Sequence, residues 1–276
     1  MTETVPPVLD FTALDGLAFA AARGRLDGRA VAVMTAREIG PVLELEQLSG
    51  SGFLPAPHAA PFLSLDGLSP IVRALESGTR QWICPQSRMT GFLRAAPSLP
   101  QDDTNWIRFG LAAQQAAIAA GFQRKIAAQL TAALGEFHSN VCEHSDASGT
   151  GIVAFHTRPG RFEFVVSDRG IGVLRRLRSG PDYPNLTDHG EALRLTLTDR
   201  VSRFGANSGR GRGFRPLFIG LANLNGALRF RSGDHALLID GRGPSLMMAR
   251  PAQKAMLKGF LVSVSCETGT SDQSHQ

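Results

Sequence analysis

Between Ile126 and Val141 the apolar residues Ile126, Leu130, Leu134, Phe137 and Val141 recur at spacings of four, four, three and four. That stripe predicts a long helix with one face seated on a core. Two alternating segments follow at once, Gly151–His156 and Phe162–Ser167, with Arg158-Pro159-Gly160 between them as a turn. They read as a β-hairpin. A core-facing helix running straight into a hairpin predicts an α/β layer arrangement. With Phe137 and Val141 committed to the core, Glu136 and Asn140 lie about one turn apart on a flank that faces a neighbouring surface.

Two further segments supply chemistry that suits such a flank. Asp168-Arg-Gly170-Ile-Gly172 follows the second hairpin segment directly. A carboxylate at the end of an apolar strand can accept a hydrogen bond from the exocyclic amine of a purine. The glycines admit a flat ring close to the backbone. Gly209-Arg210-Gly211-Arg212-Gly213 precedes a helix predicted over 214–224. Backbone amides of that loop, with the helix N-terminus behind them, make an anion site to which Arg210 and Arg212 add charge. Each segment alone has an ordinary alternative: a solvated helix flank, an Asp-x-Gly turn, or a surface arginine-glycine loop. The third segment is not a Walker A loop, since Gly-x-x-x-x-Gly-Lys-Ser/Thr is absent, nor a Rossmann fingerprint, since no strand leads directly into it.

In this order, the segments Glu136-x-x-x-Asn140-x-x-x-His144, Asp168-x-Gly170-x-Gly172 and 209–213 resemble the N, G1 and G2 boxes of the GHKL ATPase superfamily. The gap of 28 residues from Asn140 to Asp168 suits one hairpin, and the gap of 37 from Gly172 to Gly209 suits a lid that closes over a nucleotide. The resemblance covers residues 104–266. It implies a Bergerat-type two-layer sandwich over 105–266, a mixed sheet with helices on one face, and ATP and Mg2+ as ligands. It also implies roles: Asn140 holds the magnesium ion, Glu136 is the general base, His144 lies near the nucleotide and Asp168 reads adenine. Gly170 and Gly172 shape the base pocket, and Gly209, Arg210, Gly211, Arg212 and Gly213 hold the phosphates.

Within that superfamily the pattern is most similar to stand-alone anti-sigma-type serine kinases. None of the seven histidines is followed by an acid, so no phosphoacceptor motif of a histidine kinase is present, and only a short tail follows Cys266 where a transducer domain would stand. The resemblance implies an ATP-dependent Ser/Thr protein kinase-like switch, or an ATP-gated binding module without transfer. The partner implied is a regulatory protein such as a STAS-type antagonist or a sigma factor. Two departures stand out, an N-terminal extension and a lid lengthened by a helix around 191–200.

The remaining sequence sets the context. Ala95-Ala-Pro-Ser-Leu-Pro-Gln-Asp-Asp-Thr104 breaks the pattern and predicts a linker over 96–104, because its prolines disfavour helix and its Asp and Thr residues suit an N-cap. Residues 1–95 then read as a small α/β domain, STAS-like in topology alone, with a strand at 29–34, a helix at 37–48, a helix from Pro70 and a strand at 80–84. A tail at 267–276 is polar and predicted disordered.

The net charge is +5, yet a single Tyr and no basic stripe argue against nucleic-acid binding. Cys84, Cys142 and Cys266 are too far apart for a zinc site or a disulfide framework, and the first residues, MTETVPPVLDF, do not read as a signal peptide, which points to the cytoplasm. No apolar run reaches the roughly 18 residues of a membrane helix. The Ala-rich helix at 107–120 offers a homodimer face.

Overall fold

In a computed structural model, strand residues alternate between two apolar layers, and this alternation sets the architecture. The structure describes residues 6–27, 31–50, 52, 54–65, 67–95, 104–197, 226–239 and 249–268. Six strands form one sheet: β3 (Gln81–Ile83), β4 (Thr90–Arg94), β5 (Ile152–Arg158), β6 (Arg161–Asp168), β7 (Ala227–Ile239) and β8 (Ala252–Glu267). Their order is β3-β4-β5-β6-β8-β7, and every pairing in it is antiparallel. On β6, Phe162, Phe164 and Val166 enter one layer while Val165 enters the other. Period-two geometry requires that split, and a sheet apolar on both faces must be covered on both.

Helices α4 (Thr104–Ala119) and α5 (Arg124–His144) cover the first face, together with α6 (Gly172–Arg178) and α7 (His189–Leu195). Gly121, at φ +106°, turns the chain between α4 and α5. The predicted stripe seats as expected, with Phe137 against Phe164 at 6.2 Å between ring centroids. Helices α1 (Phe11–Ala22), α2 (Ile39–Ser49) and α3 (Ser69–Glu76) lie on the second face, with a short parallel ribbon of β1 (Met34–Thr35) and β2 (Leu63–Ser64). Among the described residues no helix is long and apolar enough to cross a membrane.

The chain is α/β as expected, but the detail differs. A mixed sheet with helices on one face was expected; the six-stranded sheet is wholly antiparallel and carries helices on both faces. Strands β3 and β4 precede residues 96–103 and β5 follows them, and β4 pairs with β5 from Thr90↔His156 to Arg94↔Ile152. The sheet therefore continues across the boundary expected at 96–104.

A charged cluster fastens the second layer. Arg229 and Arg231 project from β7 into it and meet Asp15 of α1 and Glu44 of α2. All four are buried. Lys254 of β8 joins Asp15 at 2.7 Å. Two arginines beneath a helical layer demand carboxylates from it, because an unpaired buried charge costs several kcal/mol.

Candidate functional site

Asp168 is the last residue of β6, paired with Phe260 of β8, and is 1% exposed. Its Oδ1 accepts the Gly170 amide at 2.6 Å. Its Oδ2 is buried with no hydrogen-bond partner among the described residues. Burial raises the Asp168 carboxyl to about pH 7, against the opposing pull of the Gly170 amide. A buried carboxylate oxygen without a donor is costly, so a site that keeps one is suited to a ligand that brings a donor.

The glycines beside it are required by close packing. A Cβ on Gly170 would overlap the Ser145 carbonyl oxygen, whose backbone accepts the Ile171 amide at 3.0 Å. Gly172 adopts φ +72°, and a Cβ there would lie 2.8 Å from Ser232 Oγ and 3.0 Å from the Gly259 carbonyl oxygen. That same hydroxyl accepts the Val173 amide at 3.0 Å and donates to the Gly259 carbonyl at 2.8 Å. The segment 168–173 is thus held between the end of α5 on one side and β7 and β8 on the other.

Glu136 and Asn140 sit on the flank of α5 away from the buried stripe. Glu136 is exposed and Asn140 half-buried. Asn140 Nδ2 donates to the Glu136 backbone carbonyl at 2.9 Å, which fixes the amide and leaves Oδ1 as its acceptor. The C-terminal end of α5 is tied to the Asp168 segment twice, through Ser145 to Ile171 and through Arg176 Nη2 to the Glu143 carbonyl at 2.8 Å. The C-terminal end of the helix that carries the first motif is therefore tied to the segment that carries the second. His144 closes α5, but its side chain lies outside the described structure, as do Gly209, Arg210, Gly211, Arg212, Gly213 and the helix predicted over 214–224.

Ser145, Ser232, Gly259 and Gln47 complete the surroundings of Asp168 and were not singled out from sequence. Gly259 had a signal, an isolated glycine within an apolar strand, which marks a bulge or a close backbone approach. The other three had none, because their partners are far away in the chain. Among the described residues no group of three or more His, Cys, Asp or Glu is placed to hold a metal ion. The sequence matches no protein-family model and no curated protein.

Proposed function

We propose that this chain is an ATP- and magnesium-binding regulatory protein of the GHKL type, a Ser/Thr kinase-like switch acting on a protein partner without histidine autophosphorylation. One observation carries this reading: Asp168 has a buried carboxylate oxygen with no hydrogen-bond partner among the described residues, beside two closely packed glycines. The exocyclic amine of adenine is the donor that oxygen lacks.

Asn140 is the residue that would hold magnesium. Its Oδ1 is a hard neutral oxygen, and the lack of an acid cluster among the described residues suits an ion that draws most of its ligands from phosphate and water. The ion, when bound with ATP, neutralises and orients the phosphate oxygens. Glu136 is the base in this reading. Its carboxylate accepts the proton of a Ser or Thr hydroxyl on the partner as that oxygen bonds to the γ-phosphorus. The bond from the γ-phosphorus to the β-γ bridging oxygen breaks, and ADP leaves. The loop at 209–213 is the proposed phosphate cradle, and a STAS-type antagonist or a sigma factor is the proposed partner class. Exposed Ile107, Leu111 and Ile118 on α4 support the homodimer face expected there.

A second reading is ATP-gated binding without transfer. It is favoured by Glu136 itself, whose exposed carboxylate has no orienting hydrogen bond among the described residues. Titration calorimetry of ATP and ADP, with and without magnesium, into wild-type protein and Asp168→Asn tests the shared premise. Magnesium-dependent binding lost in the variant is expected; no binding by folded wild-type protein ends both readings. Labelled phosphate on a partner Ser or Thr, lost in Glu136→Ala while ATP affinity stays, separates the first reading from the second.

A further inference from the structure

We propose that Gln47 is a positioning residue for the nucleotide site, through which the N-terminal helical layer sets base affinity and selectivity. The inference rests on the ATP-binding reading above and extends it to a part of the chain that the nucleotide motifs do not include.

Gln47 lies on α2 and is buried against the sheet. Its Nε2 donates to the Asp168 carbonyl at 2.7 Å and to the Lys258 carbonyl at 2.7 Å, with the Phe260 carbonyl at 3.3 Å. Three acceptors around one amino group leave no ambiguity over which end of the amide faces them. The need for that donor comes from the sheet. On β8 the pairing with β7 jumps from Ser232↔Phe260 to Gly233↔Leu257, so Lys258 and Gly259 bulge out of the ladder. The β6 pairing ends at the same level, at Asp168↔Phe260. Carbonyls released at a bulge under a helical layer require a donor from that layer. Gly259, at φ +81°, has no room for a Cβ, which would overlap the Asp168 carbonyl oxygen. The three carbonyls are thereby drawn to one point, and Gln47 occupies it.

The carbonyl that Gln47 grips belongs to the residue whose Oδ2 faces the proposed base. Fixing it fixes where β6 leaves the sheet, and so where that oxygen sits. The neighbouring residue is held in the same way. Arg169 Nη2 donates to the Glu46 carbonyl at 3.0 Å and lies 3.6 Å from the Glu46 carboxylate. Two consecutive residues of α2 therefore hold two consecutive residues of the loop. The start of α2 is itself tied to the sheet, where the Ile39 amide donates to Glu163 Oε2 at 3.0 Å. Further along the helix, Glu44 is tied to Arg229 at 2.7 Å. Contacts of this kind are reciprocal, so a ligand at Asp168 and a change in α2 must each affect the other.

The test uses the full chain and two substitutions. Gln47→Met keeps length and apolar contact while removing the donor, and Gln47→Glu sets an acceptor against three carbonyls. ATP and GTP affinities are measured by calorimetry beside thermal melting. Both variants are expected to weaken ATP by about tenfold or more and to narrow the preference for ATP over GTP. Leu75→Ala, a core change on α3 of the same layer, is expected to lower the melting temperature and leave that preference unchanged. A folded Gln47→Met with wild-type affinity and preference overturns the proposal. Hydrogen exchange on the wild-type protein provides a second measurement should neither variant fold. Added ATP is expected to protect 46–49 together with 168–171, and protection of 168–171 alone overturns the proposal. Wild-type protein that binds no nucleotide overturns the ATP reading itself, a result distinct from wild-type binding that ignores Gln47.

Discussion

Glu44 of α2 and Arg229 of β7 form a buried ion pair, with Arg229 Nε 2.7 Å from one Glu44 oxygen and Nη2 2.8 Å from the other. The pair is bidentate, and Arg231 bonds the same carboxylate, so one acid serves two cations. Glu44→Leu would leave the two guanidiniums only Asp15 as a carboxylate in a buried layer. The expected loss is about 3–5 kcal/mol, read as a lower urea midpoint with an unchanged slope. Glu191 and Arg194, an i,i+3 pair on the surface, make an equally short contact at 2.5 Å. Because both are solvated, Glu191→Ala is expected to cost under about 0.5 kcal/mol. Distance alone does not rank the two pairs; burial does.

Under the proposed ATP-binding reading, Asp168→Asn is expected to change which base the site accepts. The amide can keep the Gly170 contact only through its oxygen, now at 2.6 Å from that amide nitrogen. Its nitrogen then takes the place of Oδ2 and presents a donor. An adenine amine meets that donor unfavourably, whereas the O6 of guanine or hypoxanthine accepts it. Affinity for ATP should fall by about a hundredfold, the scale of an unpaired buried polar group, while GTP or ITP loses less or gains. Calorimetry with the three nucleotides reads the order directly. An unchanged preference in a folded variant would remove Asp168 from base recognition.

The Asp168 carboxyl also predicts a pH dependence. Its pKa rises from 3.8 to about 7 on folding, so the folded chain holds a proton that the unfolded chain releases. Stability without ligand must then decline as pH rises across that window, by at most about 4 kcal/mol from this group. Glu163, raised from 4.5 to about 7 by burial and by the nearby Glu38, acts in the same direction. His156, lowered from 6.5 to about 4 by burial and Arg158, acts in the opposite one. The Asp168 share is isolated by comparing wild type with Asp168→Asn, whose stability relative to wild type should grow from pH 4 to pH 8. Adenosine, which has no group titrating in the upper part of that window, should bind wild-type protein more tightly as pH rises towards about 7 and level off above it.

The parts of this fold that were legible in the sequence are those fixed by neighbours along the chain. The stripe from Ile126 to Val141 placed α5, and Arg158-Pro159-Gly160 placed the β5–β6 hairpin. Gly233-Asp234 has the composition of a turn. In the fold β7 runs unbroken from Ala227 to Ile239, and Gly233, at φ +64°, absorbs a shift in register. The helices α2 and α3 were legible at 37–48 and from Pro70, but not that they cover the second sheet face. Asp15, Glu44, Arg229 and Arg231 look like surface charges in sequence, and their partners lie 185 to 214 residues away. Pro97 and Pro100 read as a linker, and nothing local announces that β4 pairs with β5 across them. At the site, Asp168 and its glycines were legible as a motif. The packing of that segment depends on Ser145, Ser232 and Gly259, which converge on it only in three dimensions.

The glycines of the Asp168 segment give a ranking that a loosely packed loop would not. Gly170→Ala sets a methyl group against the Ser145 carbonyl, a backbone atom that cannot move without breaking its bond to the Ile171 amide. Gly172→Ala meets Ser232 Oγ, the end of a short side chain, and must in addition adopt φ +72°. The first should cost the most stability, about 2 kcal/mol or more, and abolish nucleotide binding by displacing Asp168. The second should cost about 1–2 kcal/mol and weaken binding without removing it. Gly16 of α1 has open space where its Cβ would stand and a helical backbone, so Gly16→Ala should stabilise the chain by up to about 1 kcal/mol. Urea midpoints and ATP titrations on the three variants test the order. If Gly170→Ala bound ATP as wild type does, the 168–173 segment would have to be free to move away from α5, and close packing would not be what holds the proposed base reader in place.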